Sequence, residues 1–397
     1  MHQQRTGFSW PLFILMASIT FMAILSELMP SGVLPQMAEG FGITEAQAGG
    51  FVGQYAIASA FCGIPIISAT VEWDRKKLLM LLLIGFCLAN LVIGLLPIYW
   101  LAVLARILGG VCAGALWPMI SAYGMSLVKA EDQGKAVAVI MAGTTVGMSL
   151  GLPLMTWIGT RFSFHLEFIV MAIFIAGVAF LCQTFLPHVP GEKRSRSNSP
   201  FTMLKNKGVL LVVLLTVLAV VANYGVYTYI TNLVKTIDYP GIGLAQILFG
   251  LGSILSVVIA GIFIDHYLRW VCAGMLGSAA LAMACFYFVS STGLHHLAFI
   301  LWGLGFGALV TLFQTAVTRQ VSQGTAVATS LQSAAFNFSI MIGSTVGGWL
   351  LASSSSAAIV VMALLLLILG LAISLSAKKI PRLMKETAPL WPVFFVR

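Results

Sequence analysis

Residues 74–97 read DRKKLLMLLLIGFCLANLVIGLLP, a charged cluster followed directly by an apolar run. A helix that crosses a bilayer core about 30 Å thick needs some 20 apolar residues. The run from Leu78 to Pro97 has that length, and Asn90 is its one strongly polar side chain. Because basic residues tend to stay on the cytoplasmic side, the Arg75–Lys77 cluster also indicates which end lies inside. This stretch therefore predicts a membrane-spanning helix with a defined direction.

Similar apolar runs recur along the chain, whose 397 residues are 59% hydrophobic and only 8% charged. An ordinary globular domain has about 25% charged residues. The short polar start, with no small-residue cleavage site after the first run, favours a retained first helix over a signal peptide. We expect an all-α polytopic membrane protein with twelve spans, near 11–34, 47–70, 78–97, 99–126, 137–159, 165–186, 209–234, 243–264, 271–290, 296–318, 328–351 and 356–377.

A polar interruption and the basic residues divide and orient the chain. Residues 187–208 are polar, basic and rich in Gly, Ser and Pro, which is typical of a solvated linker. With the amino terminus in the cytoplasm, every Lys and Arg outside the spans lies inside except Arg161 and Lys235. The net charge of +9 thus follows from topology and does not indicate nucleic-acid binding. We expect six-helix halves at 1–186 and 209–377, a cytoplasmic linker at 187–208 and a cytoplasmic tail at 378–397.

The six cysteines and six histidines do not form the pattern of a metal or catalytic site. The cysteines all fall in apolar runs without paired spacing, which favours packing positions over a disulfide framework or a zinc site. The histidines are scattered at span edges without metal-ligand or triad spacing, so a membrane enzyme is a poor alternative. A channel would need a ring or a re-entrant filter element, and no short interrupted hairpin is evident. We therefore expect a transporter, with no metal and no cofactor.

The two halves also resemble each other. Asp74, after the second span, has a counterpart in Asp265 after the eighth. A glycine and a tryptophan six residues apart occur in the fifth span, from Gly151, and again in the eleventh, from Gly343. Parallel repeats joined by a cytoplasmic linker suit a transporter that works by alternating access. The substrate site of such a transporter lies between the halves, near the membrane midplane.

Several motifs, in their order along the chain, carry a resemblance to a known family. Two segments resemble the loop signature Gly-x-x-x-Asp-Arg-x-Gly-Arg-Arg of the major facilitator superfamily. They are Asp74-Arg-Lys-Lys and Gly261-x-x-x-Asp265-x-x-x-Arg269. The first copy departs from the signature at both glycines. Two further segments resemble the drug:proton antiporter group, which contains sugar and purine-nucleoside efflux proteins. Its first helix is resembled by Glu27-Leu-Met-Pro-Ser-Gly, and its fifth helix by Gly147-x-x-x-Gly-Leu-Pro. The resemblance covers essentially the whole chain.

This resemblance implies proton-coupled efflux of a small organic molecule such as a sugar, a purine nucleoside or a drug. The proton gradient would supply the energy, and the partners would be the substrate, protons and the lipid bilayer. We expect a multi-pass monomer in the bacterial inner membrane. Proton-coupled uptake by symport stays open as the alternative, because the fifth-span motif favours export without excluding import.

Two charged residues stand well inside the predicted spans. Glu27 is the only acidic one, and a charge at the centre of a span costs at least about 2.5 kcal/mol and commonly marks a proton relay. The resemblance makes Glu27 the proton-coupling residue. The charge of Arg106 is expected to bias the protonation of Glu27. Glu167 is expected at the periplasmic edge. Glycines spaced three and four residues from Arg106 predict an open face beneath its guanidinium. The alternatives are a carboxylate that meets periplasmic water and an arginine that bonds carbonyls of neighbouring helices.

The remaining candidates form three groups. The resemblance implies gating by four charged residues at the cytoplasmic ends of helices, where a carboxylate docked on a helix amino terminus gains charge–dipole stabilisation: Asp74, Arg75, Asp265 and Arg269. The helix-packing motif of the fifth span comprises Gly147, Gly151 and Pro153. The substrate-cavity candidates, for which helix–helix packing is an equal alternative, are Gln54, Trp117, Asn223, Tyr227, Gln314 and Asn337. Apolar walls with a few placed polar groups suit a small, mostly neutral molecule.

Overall fold

The computed structural model describes residues 8–129, 132–191, 206–321 and 325–376, and over these ranges it is helical without a β-strand. Within these ranges, twelve helical segments are long and apolar enough to cross a membrane, which confirms the expected number of spans. The predicted tail at 378–397 and residues 192–205 of the predicted linker lie outside the described residues. The helices are α1 (Trp10–Gly32), α2 (Leu34–Phe41), α3 (Glu45–Ala69), α4 (Arg75–Leu95), α5 (Tyr99–Ser126), α6 (Gln133–Val146), α7 (Leu152–Arg161), α8 (Phe164–Phe185), α9 (Lys207–Tyr227), α10 (Ile230–Thr236), α11 (Ile242–Phe288), α12 (Thr292–Phe306), α13 (Leu309–Thr318), α14 (Thr325–Ser353) and α15 (Ser356–Ser376).

The first span is followed at once by the short helix α2. The two helices meet at Val33, a single residue whose backbone is not helical (φ −125°, ψ 26°). Pro35 favours this break, because it has no N–H to donate to the carbonyl of Ser31. Helix α2 ends at Gly42, whose φ of +65° lies in the left-handed region that glycine adopts without strain. Helix α2 is therefore a separate element at the end of the first span.

The fifth span is interrupted by a π-helical turn, Gly147–Gly151, between α6 and α7. Pro153 follows this turn and has no N–H for the carbonyl of Ser149, so a regular α-helical ladder cannot continue through this point. Such π turns are rare and occur frequently at functional sites.

The eighth and ninth spans, Ile242–Ile264 and Tyr267–Phe288, are two helices joined by a kink at Tyr267, whose backbone is not helical (φ −126°, ψ 29°); we label them together as α11. Both spans agree with the predicted 243–264 and 271–290 to within a few residues, but the connection between them is shorter than predicted. The segment Asp265–Trp270 contains no glycine or proline to end a helix, so the chain turns within a few residues. Arg269 accordingly lies in the helix.

The two halves touch along α3 and α14, and between the fifth span and α11. At one end of the bundle, Glu45 of α3 is ion-paired with Lys235 of α10 (Oε1–Nζ 3.7 Å) and accepts a hydrogen bond from Asn232. The hydroxyl of Tyr229 donates to the carbonyl of Ser344 in its own half at 2.9 Å and lies 3.5 Å from the carbonyl of Ala46 in the other half. We name the five of these residues that meet across the two halves, all except Ser344, the seam, and the end of the bundle that carries them the seam end.

The opposite end, which residues 187–191 and 206–208 reach, is the linker end. There, Asp74 pairs with His188, and Asn206 donates to the carbonyl of Gln320. The seam ties the two halves together by polar contacts at its own end of the bundle.

Candidate functional site

Arg106 of α5 joins three helices through main-chain carbonyls. Its Nε donates to Phe51 of α3 at 3.1 Å, its Nη1 to Ser26 of α1 at 2.5 Å and its Nη2 to Glu27 at 2.9 Å. The carbonyl of Ser26 is available because Pro30, four residues on, has no N–H to bond it. The guanidinium group is buried and therefore makes these bonds away from water. Its geometry is that of an arginine bonded to neighbouring carbonyls, and its electrostatic role stays a prediction.

Glu27 lies where the two halves meet. Its side chain is 6% exposed, and its Oε1 accepts a hydrogen bond of 3.2 Å from the hydroxyl of Tyr224 on α9. The guanidinium of Arg106 bonds the main-chain carbonyl of Glu27 and forms no ion pair with its carboxylate. A buried carboxylate is costly in its charged form unless it is paired. This carboxyl group therefore lies buried at the contact between the two halves, with Tyr224 as its hydrogen-bond donor.

The glycines near Arg106 do not leave an open face. A Cβ atom added at Gly110 would collide with the carbonyl of Tyr55, and one at Gly114 would collide with the backbone of Ser59. The ring of Tyr55 instead lies beneath the guanidinium, with its centroid 4.4 Å from Cζ. The predicted open face was wrong, because small residues allow two membrane helices to pack backbone to backbone.

Asn223 and Tyr227 of α9 lie in an aromatic cluster of the second half. The indole Nε1 of Trp302 donates to Oδ1 of Asn223 at 2.8 Å, and the ring of Tyr227 lies 5.7 Å from that of Trp302 and 5.0 Å from that of Phe249. Asn223 is therefore already bonded within its own half. The buried hydroxyl of Tyr227 has no hydrogen-bond partner among the described residues.

The other cavity candidates are more dispersed. Gln54 and Trp117 are half-buried, and Gln314 is exposed. The side chain of Asn337 donates to the carbonyl of Ser333 in its own helix at 3.0 Å. No described contact joins these residues to the aromatic cluster, so their role in a substrate cavity remains a prediction.

Most of the chain matches the model of a known protein family. The family model described as Major Facilitator Superfamily matches residues 16–329 and again 237–394. The chain belongs to the Major Facilitator Superfamily. It is thus a multi-pass membrane transporter of small molecules and not an enzyme.

Two curated relatives are named for efflux. The chain is 25% identical over 337 residues to a probable sugar efflux transporter of Pasteurella multocida, covering 83% of each chain. It is also 25% identical over 348 residues to a chloramphenicol efflux pump of Mycobacterium tuberculosis (strain H37Rv), covering 84% of each chain. Among solved structures, the nucleoside transporter NupG matches with a TM-score of 0.70 at 15% identity, over 93% of this chain and 98% of that one. A mutant of the peptide transporter POT matches with a TM-score of 0.77 at 15% identity, over 96% and 97%. At such identities the structural matches show the fold.

In this transporter the motif of the fifth span packs in two directions. Gly147 lies against Ile24 of α1, and Gly151 lies against the ring of Phe21. Between them, the hydroxyl of Ser149 donates to the carbonyl of Gly250 on α11 at 3.1 Å. The π-helical turn therefore contacts both the first span and the opposite half.

The gating candidates make contacts within their own halves. Asp74 caps α4 by accepting from the backbone N–H of Lys77 at 3.0 Å, and its Oδ1 lies 3.1 Å from Nδ1 of His188. Burial raises the pKa of Asp74, but these hydrogen bonds outweigh it and hold the pKa below its usual value. Arg75 is buried at the start of α4. Arg269 donates to the carbonyl of Leu375, and the side chain of Asp265 lies outside the described residues.

One functional candidate was missed at the level of sequence. Tyr224, which contacts Glu27, stands one residue after Asn223 and one helical turn before Tyr227, so its position could have suggested it. Glu167, expected at the periplasmic edge, lies in the first turn of α8, and its side chain is fully buried. Its burial has no sequence signal, because it depends on how α1 and α7 pack around the start of α8.

Proposed function

We propose that this transporter is a proton-coupled efflux antiporter of a small organic molecule, working by alternating access across the bacterial inner membrane. The observation that carries the proposal is the hydrogen bond between Glu27 and Tyr224, which joins the two halves through a proton-binding group. Proton binding at such a position changes an interaction that exists only while the halves are closed at the seam end. Protonation and conformation are thereby coupled.

The chemistry of this contact gives the coupling a direction. An ionised carboxylate accepts a stronger hydrogen bond from the hydroxyl of Tyr224 than a neutral carboxyl group does. Loss of the proton therefore favours the state that is closed at the seam end, and protonation weakens the link between the halves. Arg106 keeps Glu27 in place, since it holds the main chain of α1 on either side of the carboxyl group.

We further propose that the substrate is mostly neutral, of the size of a sugar, a nucleoside or an amphenicol drug. The names of two relatives, a sugar efflux transporter and a chloramphenicol efflux pump, support efflux and this range. The substrate would lie between the halves, near the predicted residues Gln54, Trp117, Asn223, Tyr227, Gln314 and Asn337. The protein would act as a monomer, with its termini and the 187–208 linker in the cytoplasm.

Efflux assays of Glu27→Gln test this proposal. Cells that overproduce the wild-type protein are screened for export of sugars, nucleosides and chloramphenicol, with and without a protonophore. Glutamine is nearly isosteric with a protonated glutamate but cannot release a proton, so the variant should bind substrate and lose uphill export. Glu39→Gln, which changes an exposed carboxyl group on α2, is the matched control and should export normally. Protonophore-sensitive uphill export by Glu27→Gln would show that the proton uses another group, and protonophore-sensitive accumulation of substrate by the wild type would favour symport.

A further inference from the structure

Glu167 of α8 is a second buried carboxyl group. Its side chain is 0% exposed, and neither carboxylate oxygen has a hydrogen-bond partner in the described structure. The space that it fills is provided by Gly159 of α7, where an added Cβ atom would collide with Oε2 of Glu167 and with the side chain of Val33. The packing of three elements thus accommodates this carboxyl group.

No described charged side chain neutralises it. On α8 itself, His165 directs its Nδ1 to a main-chain carbonyl of α4 at 3.2 Å. On α7, Arg161 is exposed, and on α2, Glu39 is exposed. On α1, Glu27 turns its carboxyl group to the opposite half. The charged residues of α4 lie at its other end, at the start of the helix.

The joint between α1 and α2 lies against this position, and α2 continues from it past the start of α8. Val33, at the joint of α1 and α2, lies close enough to Gly159 to meet the same added Cβ atom as Glu167 does. Further along α2, Gly40 lies against the ring of Phe164, and the ring of Phe41 lies 5.3 Å from it. Because α2 also packs on α3, whose first residue is Glu45, this packing is continuous with the seam.

An ionised carboxylate without a partner is far costlier in this position than a neutral carboxyl group. We propose that Glu167 holds a proton in this closed state and is a second proton-binding site of the transporter, separate from Glu27 and packed beside the joint of α1 and α2. When the halves part at the seam end, the joint at Val33 moves with α2 and α3 and admits water, and Glu167 can then exchange its proton with the solution at that end. The inference rests on the proposed proton coupling and adds a second proton to it.

Infrared spectroscopy of the purified full-length protein in lipid nanodiscs tests the protonation directly. A protonated carboxyl group absorbs at a higher wavenumber than a carboxylate, and the band is followed as a function of pH. In Glu27→Gln the band of a protonated carboxyl group should persist at neutral pH, and in Glu27→Gln/Glu167→Gln it should be lost. Glu39→Gln should leave it unchanged. Absence of the band from Glu27→Gln would overturn the proposal, whether or not that variant still exports substrate.

A second measurement needs no variant and therefore does not depend on the folding of Glu167→Gln. Dicyclohexylcarbodiimide, an apolar reagent, activates protonated carboxyl groups, and mass spectrometry locates the product. The wild-type protein should be labelled at Glu167, more strongly as the pH falls. Failure to label Glu167 over the pH range in which the protein stays folded would contradict the proposal. Protection by NaCl, but not by choline chloride at the same ionic strength, would also contradict it, because an alkali cation would then be the occupant.

Discussion

Arg106 holds α1, α3 and α5 together with three hydrogen bonds to carbonyls, so its shape matters as well as its charge. Arg106→Lys keeps the charge but loses the planar fork that reaches three acceptors at once. Hydrogen bonds to charged groups contribute about 1.5–3 kcal/mol each, so we expect a large drop in thermal stability in detergent and a loss of transport. Arg106→Ala should be affected more strongly.

The matched control for this prediction is Arg161→Lys, which makes the same change at an exposed position. It should keep the wild-type midpoint of unfolding. Wild-type transport by Arg106→Ala, at wild-type levels in the membrane, would eliminate both the structural and the electrostatic role of the guanidinium.

The sequence identified Glu27 and Arg106 because a charged residue within an apolar run is visible without a structure. It did not identify which carbonyls accept from Arg106, since every residue has a carbonyl and Pro30 marks only that of Ser26 as free. The burial of Glu167 was equally hidden, because the same residue at the start of a span would face water if α1 and α7 packed differently. A charged residue within an apolar run can be recognised in the sequence, whereas its hydrogen-bond partners depend on how the helices pack.

At the scale of single helices, the contact between α3 and α5 depends on glycine. A Cβ atom at Gly110 would overlap the main chain of Tyr55, which cannot move aside as a flexible side chain could. Gly110→Val should therefore force the helices apart and lower the free energy of unfolding by about 1–3 kcal/mol or more. Thermal unfolding in detergent measures this. Gly177→Val, at a position with open space in α8, is the control, and equal losses in the two variants would refute close packing as the cause.

Helix lengths were predictable to within a few residues, because the thickness of the bilayer fixes them. The connections between the helices were not predictable in the same way. The kink at Tyr267 replaces a longer connection, since no helix-breaking residue stands near it, and α2 forms where the predicted first span should simply have ended. The π-helical turn at Gly147–Gly151 was also unforeseen, although the glycines and Pro153 marked the place. Membrane spans follow from composition, but their ends and irregularities depend on neighbouring helices.

At the scale of the whole molecule, we expect the seam to contribute to the balance between conformations. The pair of Glu45 and Lys235 is partly exposed, and such ion pairs contribute about 0.2–1 kcal/mol. Glu45→Gln should therefore shift the population moderately towards the state that is open at the seam end. Distances between spin labels on the two halves measure the shift. Lys235→Gln should shift the population by a similar amount, and the double variant should shift it little further than either single variant. If the shifts of the two single variants add up in the double variant, the two residues act separately.

The orientation of the bundle in the membrane determines to which compartment the seam end is closed. The distribution of basic residues predicts a cytoplasmic 187–208 linker, and the seam would then lie at the periplasmic face. The described conformation would be closed to the periplasm, which is the state in which an exporter takes up substrate from the cytoplasm. Alkaline phosphatase folds into its active form only outside the cytoplasm, so a fusion after Ser199 should be inactive and one after Asp238, beyond the seam, should be active. The reverse pattern, with both fusions present at equal levels, would invert the topology. Glu27 would then exchange its proton with the opposite compartment, and export would have to be reassigned as import.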